Sequence, residues 1–534
     1  MPIARSQRFT AGRAGFLTGS VTALVVLAGC GAPAGTSAPP AAPARVAPVA
    51  SAAVAAPGTA SYAAAPCPNP IYPGVAQLDL GAGVECGYLT VPENRTAPDG
   101  GTVRLAVARA KATAPDPRPD PLVYLTGGPG GSALIGAVPR IAAGWNADRD
   151  VIFLEQRGTW KSEPLLACPE VDAFLDAWVG LDTFDPATAQ RSADAVGACR
   201  DRLAATADLA AFDTTENAAD VADLRTALGI GEWNLYGVSY GADLALQTLR
   251  DHPDGIRSVV LDSVLPPQQS LADHFWPSAA SGLAGLSDAC AAQPACRADH
   301  PSLRDDVVRL VGDLTARPRT LTRTDPATGS PVPVVVDGYK LINLAVVASL
   351  APGGIAAFPA LVANLDRGDG SIAADTLLAN RPPTGVTAYG LTFGVFCGEI
   401  PVDTDTLLAR GRAALPGLPE QVLRLVPQSP YLVGDCARWS IPPAPPSVRT
   451  PVSSDRPVLV LAGALDAVTA PANADLVAQT LPAATRSTFP DAAHDVLLWS
   501  PACGVAVMRS FLERLAGPDL GCVSGLAPAP FTTS

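Results

Sequence analysis

Ser239 lies in Gly237-Val238-Ser239-Tyr240-Gly241, directly after the apolar run 233–236 and ahead of a helical segment. A serine on a sharp strand-to-helix turn with small flanking residues presents its hydroxyl at a helix N-terminus as a nucleophile. It needs a base, and the chain holds four histidines. His252, in Asp251-His252-Pro253, reads as a helix C-terminal residue, and His274 and His300 lie in a long segment without strand–helix alternation. That leaves His494, in the loop Phe489-Pro490-Asp491-Ala492-Ala493-His494 after an expected strand. The acid belongs between the two in sequence, after a late strand, and Asp466 at the end of the run 458–466 meets that condition. It would accept the imidazole N–H, fix the tautomer and stabilise the imidazolium. Asp262, ending an earlier strand, is the alternative acid, and Asp495 reads as a solvated loop residue. Charge developing on a tetrahedral intermediate needs preorganised N–H donors. The backbone N–H of Tyr240 is one, and Gly128, in Gly127-Gly128-Pro129-Gly130-Gly131-Ser132, is the expected second. That loop is not a phosphate cradle, because no G-K-[ST] follows and its spacing is wrong for a dinucleotide fingerprint. The chemistry is covalent acyl transfer, which calls for no metal and no cofactor.

The elements that must position these residues follow from hydrophobic pattern. Apolar runs at 103–108, 122–126, 151–155, 233–237, 258–262, 458–462 and 486–489 read as strands, most of them continuous, as parallel strands buried on both faces require. Helices are expected over 215–228, with Ala218, Val221, Leu224 and Leu228 on one face, over 240–250 and over 502–515. Between 264 and 455 the alternation stops. Helical stretches at 305–315, 339–350 and 354–365 with Pro-rich joints suggest a mainly helical cap inserted over the sheet. The fold class is α/β, a mostly parallel sheet with a large helical insertion.

The chain has 534 residues, 48% hydrophobic and 16% charged, enough to bury a sizeable core. A net charge of −13 without any Lys/Arg run excludes nucleic acid as a partner. Arg5, Arg8 and Arg13 precede an uncharged segment from Ala14 to Gly29, the pattern of a secretory signal too short for a confident membrane span. Its end, Leu27-Ala28-Gly29-Cys30, resembles the lipobox of bacterial lipoproteins, which implies a lipid on Cys30 and a membrane anchor through it. Setting Cys30 aside leaves ten of the 11 cysteines, none in a C-x-x-C pair. They suit five disulfides between sequence neighbours in an extracytoplasmic compartment rather than a zinc site. The expected division is a signal peptide at 1–29, lipidated Cys30 with an Ala/Pro-rich tether to 66, core at 67–264, helical cap at 265–455 and the rest of the core at 456–534.

The Gly-Gly-Pro-Gly loop at 127–130, Glu155-Gln156-Arg157-Gly158 and the pentapeptide around Ser239 together resemble the proline iminopeptidase and tripeptidyl aminopeptidase group of α/β hydrolases. Residues 397–522, with Cys397-Gly398-Glu399 and the late Asp and His, are similar to the tripeptidyl-aminopeptidase-like C-terminal region. The layout is that of secreted actinobacterial lipoprotein hydrolases. The resemblance implies an α/β-hydrolase fold with a helical cap, a Ser239/Asp466/His494 triad, and removal of short peptides, tripeptides among them, from free N-termini. Thr126 in place of His, Glu155 in place of Asp and Trp160 in place of a small residue depart from the group's pattern and bear on specificity. An aminopeptidase must hold an ammonium group, and Glu399 and Asp435, next to Cys397 and Cys436, are the expected acids if that cysteine pair forms. A carboxylesterase or lipase with the same triad is the alternative, followed by a non-catalytic lipid-anchored binding protein.

Overall fold

The apolar runs become the middle of a nine-stranded sheet in the computed structural model, which describes residues 60–69, 79–97, 100–400 and 402–533. The signal segment, Cys30 and the tether up to residue 59 lie outside the described residues. The chain opens with β1 (Ser61–Ala65), β2 (Val84–Pro92), β3 (Thr102–Ala110) and β4 (Arg118–Leu125). Next come α1 (Ala133–Ala142), β5 (Arg149–Leu154), α2 (Pro169–Trp178), α3 (Pro186–Leu203) and α4 (Thr214–Ala227). Then β6 (Trp233–Val238), α5 (Tyr240–Asp251) and β7 (Ile256–Asp262) complete the first pass.

The insertion follows. It holds α6 (Leu271–Ala292), α7 (Pro294–Asp299), α8 (Leu303–Ala316), the hairpin β8 (Arg319–Thr324) and β9 (Pro331–Val336), then α9 (Gly338–Val347) and α10 (Gly354–Asp366). It ends with α11 (Ser371–Ala379), α12 (Tyr389–Glu399), α13 (Thr404–Ala414), α14 (Glu420–Leu423) and α15 (Leu432–Trp439). The chain returns through β10 (Val458–Gly463), α16 (Ala472–Ala478), β11 (Ala484–Phe489), α17 (Val496–Trp499) and α18 (Pro501–Arg514).

The strand order is β1-β2-β3-β5-β4-β6-β7-β10-β11. Pairings are antiparallel from β1 through β3 to β5 and parallel from β5 onward. Both faces are covered, and period-2 alternation sorts the side chains. In β4, Val123 and Leu125 join the core beneath α4 and α5, while Leu122 and Tyr124 join the one beneath α1 and α18. Every residue of β5, β6 and β10 is buried, which is why these strands are mainly apolar, with Arg149 and Asp150 in β5 and Asn234 in β6 the exceptions. All five expected neighbour disulfides are present: Cys67–Cys86, Cys168–Cys199, Cys290–Cys296, Cys397–Cys436 and Cys503–Cys522.

One expectation needs correction. Residues 61–65, assigned to the tether, form edge strand β1 in register with β2, Ser61 opposite Thr90 and Ala65 opposite Cys86. Edge pairing is made by backbone groups, so an Ala-rich segment without an apolar stripe can still join a sheet. The insertion is mainly helical, as expected, and also holds a hairpin in which β8 and β9 pair antiparallel. Arg319–Thr324 alternates between half-buried and exposed residues, a period-2 signal that the surrounding helices mask.

Candidate active site

β4 is flanked by β5 on one side and β6 on the other, so successive connections leave in opposite directions. A crevice opens at the carboxyl ends of the strands at such a switch point. The Gly127–Ser132 loop leaves β4 there, Glu155 follows β5, and Ser239 follows β6. Ser239 sits at φ 57°, ψ −126°, a left-handed backbone that L residues rarely adopt, and its N–H donates to the Asp262 carbonyl at 3.0 Å. The flanking glycines are obligatory. A Cβ on Gly237 would lie 2.1 Å from the Gly241 carbonyl oxygen, and one on Gly241 would lie 2.1 Å from that of Leu125. Gly127 is equally confined, its Cβ position falling 2.7 Å from that of Ser239.

Asp466 and His494 are in direct contact. His494 Nδ1 lies 2.9 Å from Asp466 Oδ2, and Asp466 is fully buried. The carboxylate also accepts the N–H groups of Val468 and Thr469 at 2.7 and 2.8 Å and the Thr469 hydroxyl at 2.7 Å. Burial by itself would raise the Asp466 carboxyl, but the His494 charge and these hydrogen bonds hold it below the ordinary range. Burial would likewise lower His494, and Asp466 overrides it, lifting the imidazole above its usual value.

Ser239, Tyr240, Gly128 and Thr469 share the lining of a cavity of about 220 Å³. Among the described residues no hydrogen bond joins Ser239 Oγ to the imidazole, a contact that in free enzymes often tightens only around substrate. Asp262, the alternative acid, is engaged elsewhere. It accepts the Tyr236 hydroxyl at 2.6 Å and the N–H groups of Val496 and Leu497. Asp495 is not a solvated residue: its carboxylate pairs with Arg140 at 2.6 Å, both side chains mostly buried. His252 caps the end of α5, as expected.

The Gly127–Ser132 loop is fastened from below and above. Glu155 is fully buried, accepts the Ser132 hydroxyl, the Leu134 N–H at 3.0 Å and the Thr159 hydroxyl at 2.6 Å, and is pushed up to about 7 by burial. From the cap, the Ala388 N–H donates to the Gly130 carbonyl at 2.9 Å and the Thr392 hydroxyl to that of Pro129 at 2.7 Å. No sequence signal marks Ala388 or Thr392, because their role arises from where α12 begins over the sheet. His274 is another residue the sequence left unassigned. It is buried on α6, lines the nucleophile's cavity, and is depressed to about 4 by burial, hence neutral.

The two acids expected to share one amine site bond to different partners. Glu399, 4% exposed, accepts the Thr214 N–H at 2.6 Å and the Thr214 hydroxyl at 2.7 Å, and Thr214 Oγ1 lies 2.9 Å from the Tyr240 hydroxyl. It therefore takes up the first N–H of α4, whose N-cap is Asp213, and braces Tyr240 through Thr214. Asp435 turns instead to Ser192 on α3, whose hydroxyl it accepts at 3.1 Å. The Cys397–Cys436 bond joins α12 to α15 as expected, but adjacency to that bond does not decide which way each carboxylate points.

The sheet order, the switch-point crevice and the buried Asp–His pair define an α/β-hydrolase fold. Residues 120–297 match the family described as alpha/beta hydrolase fold, and residues 428–523 match the one described as TAP-like protein. Over 213 residues the chain is 32% identical to a tripeptidyl aminopeptidase of Streptomyces lividans, covering 38% of each chain. Over 206 residues it is 28% identical to the serine protease Hip1 of Mycobacterium tuberculosis, covering 36% of this chain and 38% of that one. These matches thus span well under half the length of the curated relatives. A crystal structure of proline iminopeptidase from Mycobacterium smegmatis aligns over 77% of this chain and 95% of that one, at 17% identity and a TM-score of 0.38. The resemblance drawn from the motifs is borne out at the level of the family.

Proposed function

We propose that the protein is a serine exopeptidase that removes short peptides, tripeptides among them, from free N-termini. The observation that carries this reading is the buried Asp466–His494 pair at 2.9 Å, set beside a cavity that holds Ser239 on a strained turn. Ser239 Oγ attacks the scissile carbonyl carbon while His494 takes its proton. The backbone N–H groups of Tyr240 and Gly128 receive the oxyanion. His494 then gives the proton to the leaving amine, and water hydrolyses the acyl-enzyme by the reverse sequence of transfers. Asp466 holds the imidazole with Nε2 free for this work. No step requires a metal or cofactor.

The activity named for the relatives, tripeptidyl aminopeptidase and serine protease, supports peptides as the substrate class. Five disulfides support an extracytoplasmic location, where such bonds persist. The lipid anchor on Cys30 is part of the same proposal. Among the described residues no helix is long and apolar enough to cross a membrane. A carboxylesterase is the second reading, favoured by the apolar residues near the nucleophile, Leu265, Leu271 and Phe275.

The deciding experiment assays the mature protein and Ser239→Ala on a free N-terminal tripeptide chromogenic amide, its N-acylated twin and a short-chain nitrophenyl ester. Cleavage of the free-amine peptide alone, lost in Ser239→Ala, is the expected result. Ester hydrolysis with neither peptide cleaved would replace the exopeptidase reading with the esterase one.

A further inference from the structure

Beside the nucleophile's cavity lies a second one of about 270 Å³, lined by α2 and α3 on one side and by α9, α11, α12 and α15 on the other. The two cavities share Tyr389, Thr392, Gln428 and Ser429 as wall residues. Gln428 holds a left-handed backbone, φ 68°, with its N–H bonded to Asn343 Oδ1 at 2.9 Å. Strain of that kind persists only where surrounding structure enforces it, and it collects at binding sites.

Most of the second cavity's lining is apolar, with Phe174, Trp178, Leu344 and Leu377 prominent. Its charged residues are Arg381 and Asp435. The Arg381 guanidinium is already committed, 2.5 Å from Asp325 and 3.7 Å from Asp176. Asp435 is not. It is 7% exposed, it has no cationic partner among the described residues, and its Oδ1 makes no hydrogen bond. A buried carboxylate oxygen without a donor is costly, and the natural relief is a donor brought by a ligand.

We infer that this chamber receives the amino-terminal end of the substrate, an apolar first side chain against its walls and the ammonium group on Asp435. The inference rests on the exopeptidase reading and narrows it to short peptides that begin with an apolar residue. An apolar chamber with one unpaired carboxylate rejects an acidic first residue by repulsion and an acylated one by lost charge. It tolerates glycine but gains nothing from it.

The test uses the full mature chain and tripeptide chromogenic amides that differ only in the first residue, Gly, Leu, Phe or Asp, each free and N-acetylated. Leu and Phe are expected to exceed Gly in kcat/KM by roughly 10-fold or more, with Asp the poorest. Asp435→Asn is expected to lower the free-to-acetylated ratio of kcat/KM about 10-fold or more. Leu377→Trp, which fills the chamber, should erase the Leu and Phe advantage, and Leu344→Phe serves if melting curves show that the first variant does not fold. A flat first-residue series, or equal losses on free and acetylated peptides in Asp435→Asn, with Ser239-dependent peptide cleavage intact, overturns the chamber assignment alone. Ser239-dependent ester hydrolysis with no peptide cleaved overturns both it and the exopeptidase reading.

Discussion

In the proposed mechanism His494 must be neutral to accept the Ser239 proton, yet Asp466 beside it favours the imidazolium. Because the pair lifts His494 above the ordinary imidazole value, the acid limb of kcat/KM is expected above pH 6.5. Asp466→Asn removes the charge that holds it there. The limb should move to lower pH while kcat falls by roughly three to four orders of magnitude. A limb that stays in place would show that another group sets it. Glu399 offers a second test at this scale. Its two oxygens serve Thr214, and burial raises its carboxyl well above the usual range. A neutral amide can therefore accept the Thr214 N–H on its oxygen and donate its NH2 to the Thr214 hydroxyl, which then donates to the Tyr240 oxygen. Glu399→Gln is expected to keep KM for free-amine and acylated peptides alike within about threefold. Glu399→Ala leaves buried Thr214 donors unmet and should cost about 1–3 kcal/mol of stability in denaturant unfolding. A selective rise in KM for free-amine peptides in the Gln variant would return Glu399 to the amine site.

The element with most depending on it is α12. Its start fastens the Gly127–Ser132 loop through Ala388 and Thr392, its end braces Tyr240 through Glu399, and Cys397 ties it to α15. The Cys397–Cys436 bond closes a loop of 39 residues, and removing it by paired Ser substitutions is expected to cost about 2–4 kcal/mol. The variant should melt lower and lose kcat/KM, since both of α12's attachments to the oxyanion donors loosen. Unchanged kinetics at full folding would mean that sheet packing alone holds the helix. The Glu155-Gln156-Arg157 turn works in the same way after β5. Arg157 is fully buried, paired with Asp220 at 2.8 Å and bonded to the carbonyls of Glu93 and Ala211, so it locks α4 to the sheet edge.

Across the molecule, several carboxyls are buried without a matching cation. Glu155, Asp243 and Asp435 are each pushed up to about 7 by burial. For such groups the fold disfavours the charged form. The cost is absent below the unfolded value near 4, grows as pH rises, and is complete above about 7. Asp243, on the nucleophile-bearing helix α5, has an oxygen with no hydrogen-bond partner among the described residues. Asp243→Asn is therefore expected to melt higher than the parent at pH 8, with the gain gone by pH 4. An equal shift at both pH values would assign the effect to packing rather than to charge.

The sequence by itself determined the central strands, the turn that carries Ser239, and the Asp466 and His494 that meet in the fold. Those strands are buried on both faces, which writes them as apolar runs, and the tight turn at Ser239 leaves glycine no substitute at 237 and 241. Local chemistry of this kind survives in the order of residues. Only the tertiary structure decided what depends on surfaces meeting across hundreds of residues. Asp435 finds Ser192 243 positions away, and Glu399 finds Thr214 185 positions away, so their shared neighbourhood to a disulfide in sequence said nothing of their direction. Strand β1 escaped notice because backbone pairing needs no side-chain pattern. The chamber beside the nucleophile escaped it because a cavity is made by helices that stop short of touching, and no residue in either wall records the gap.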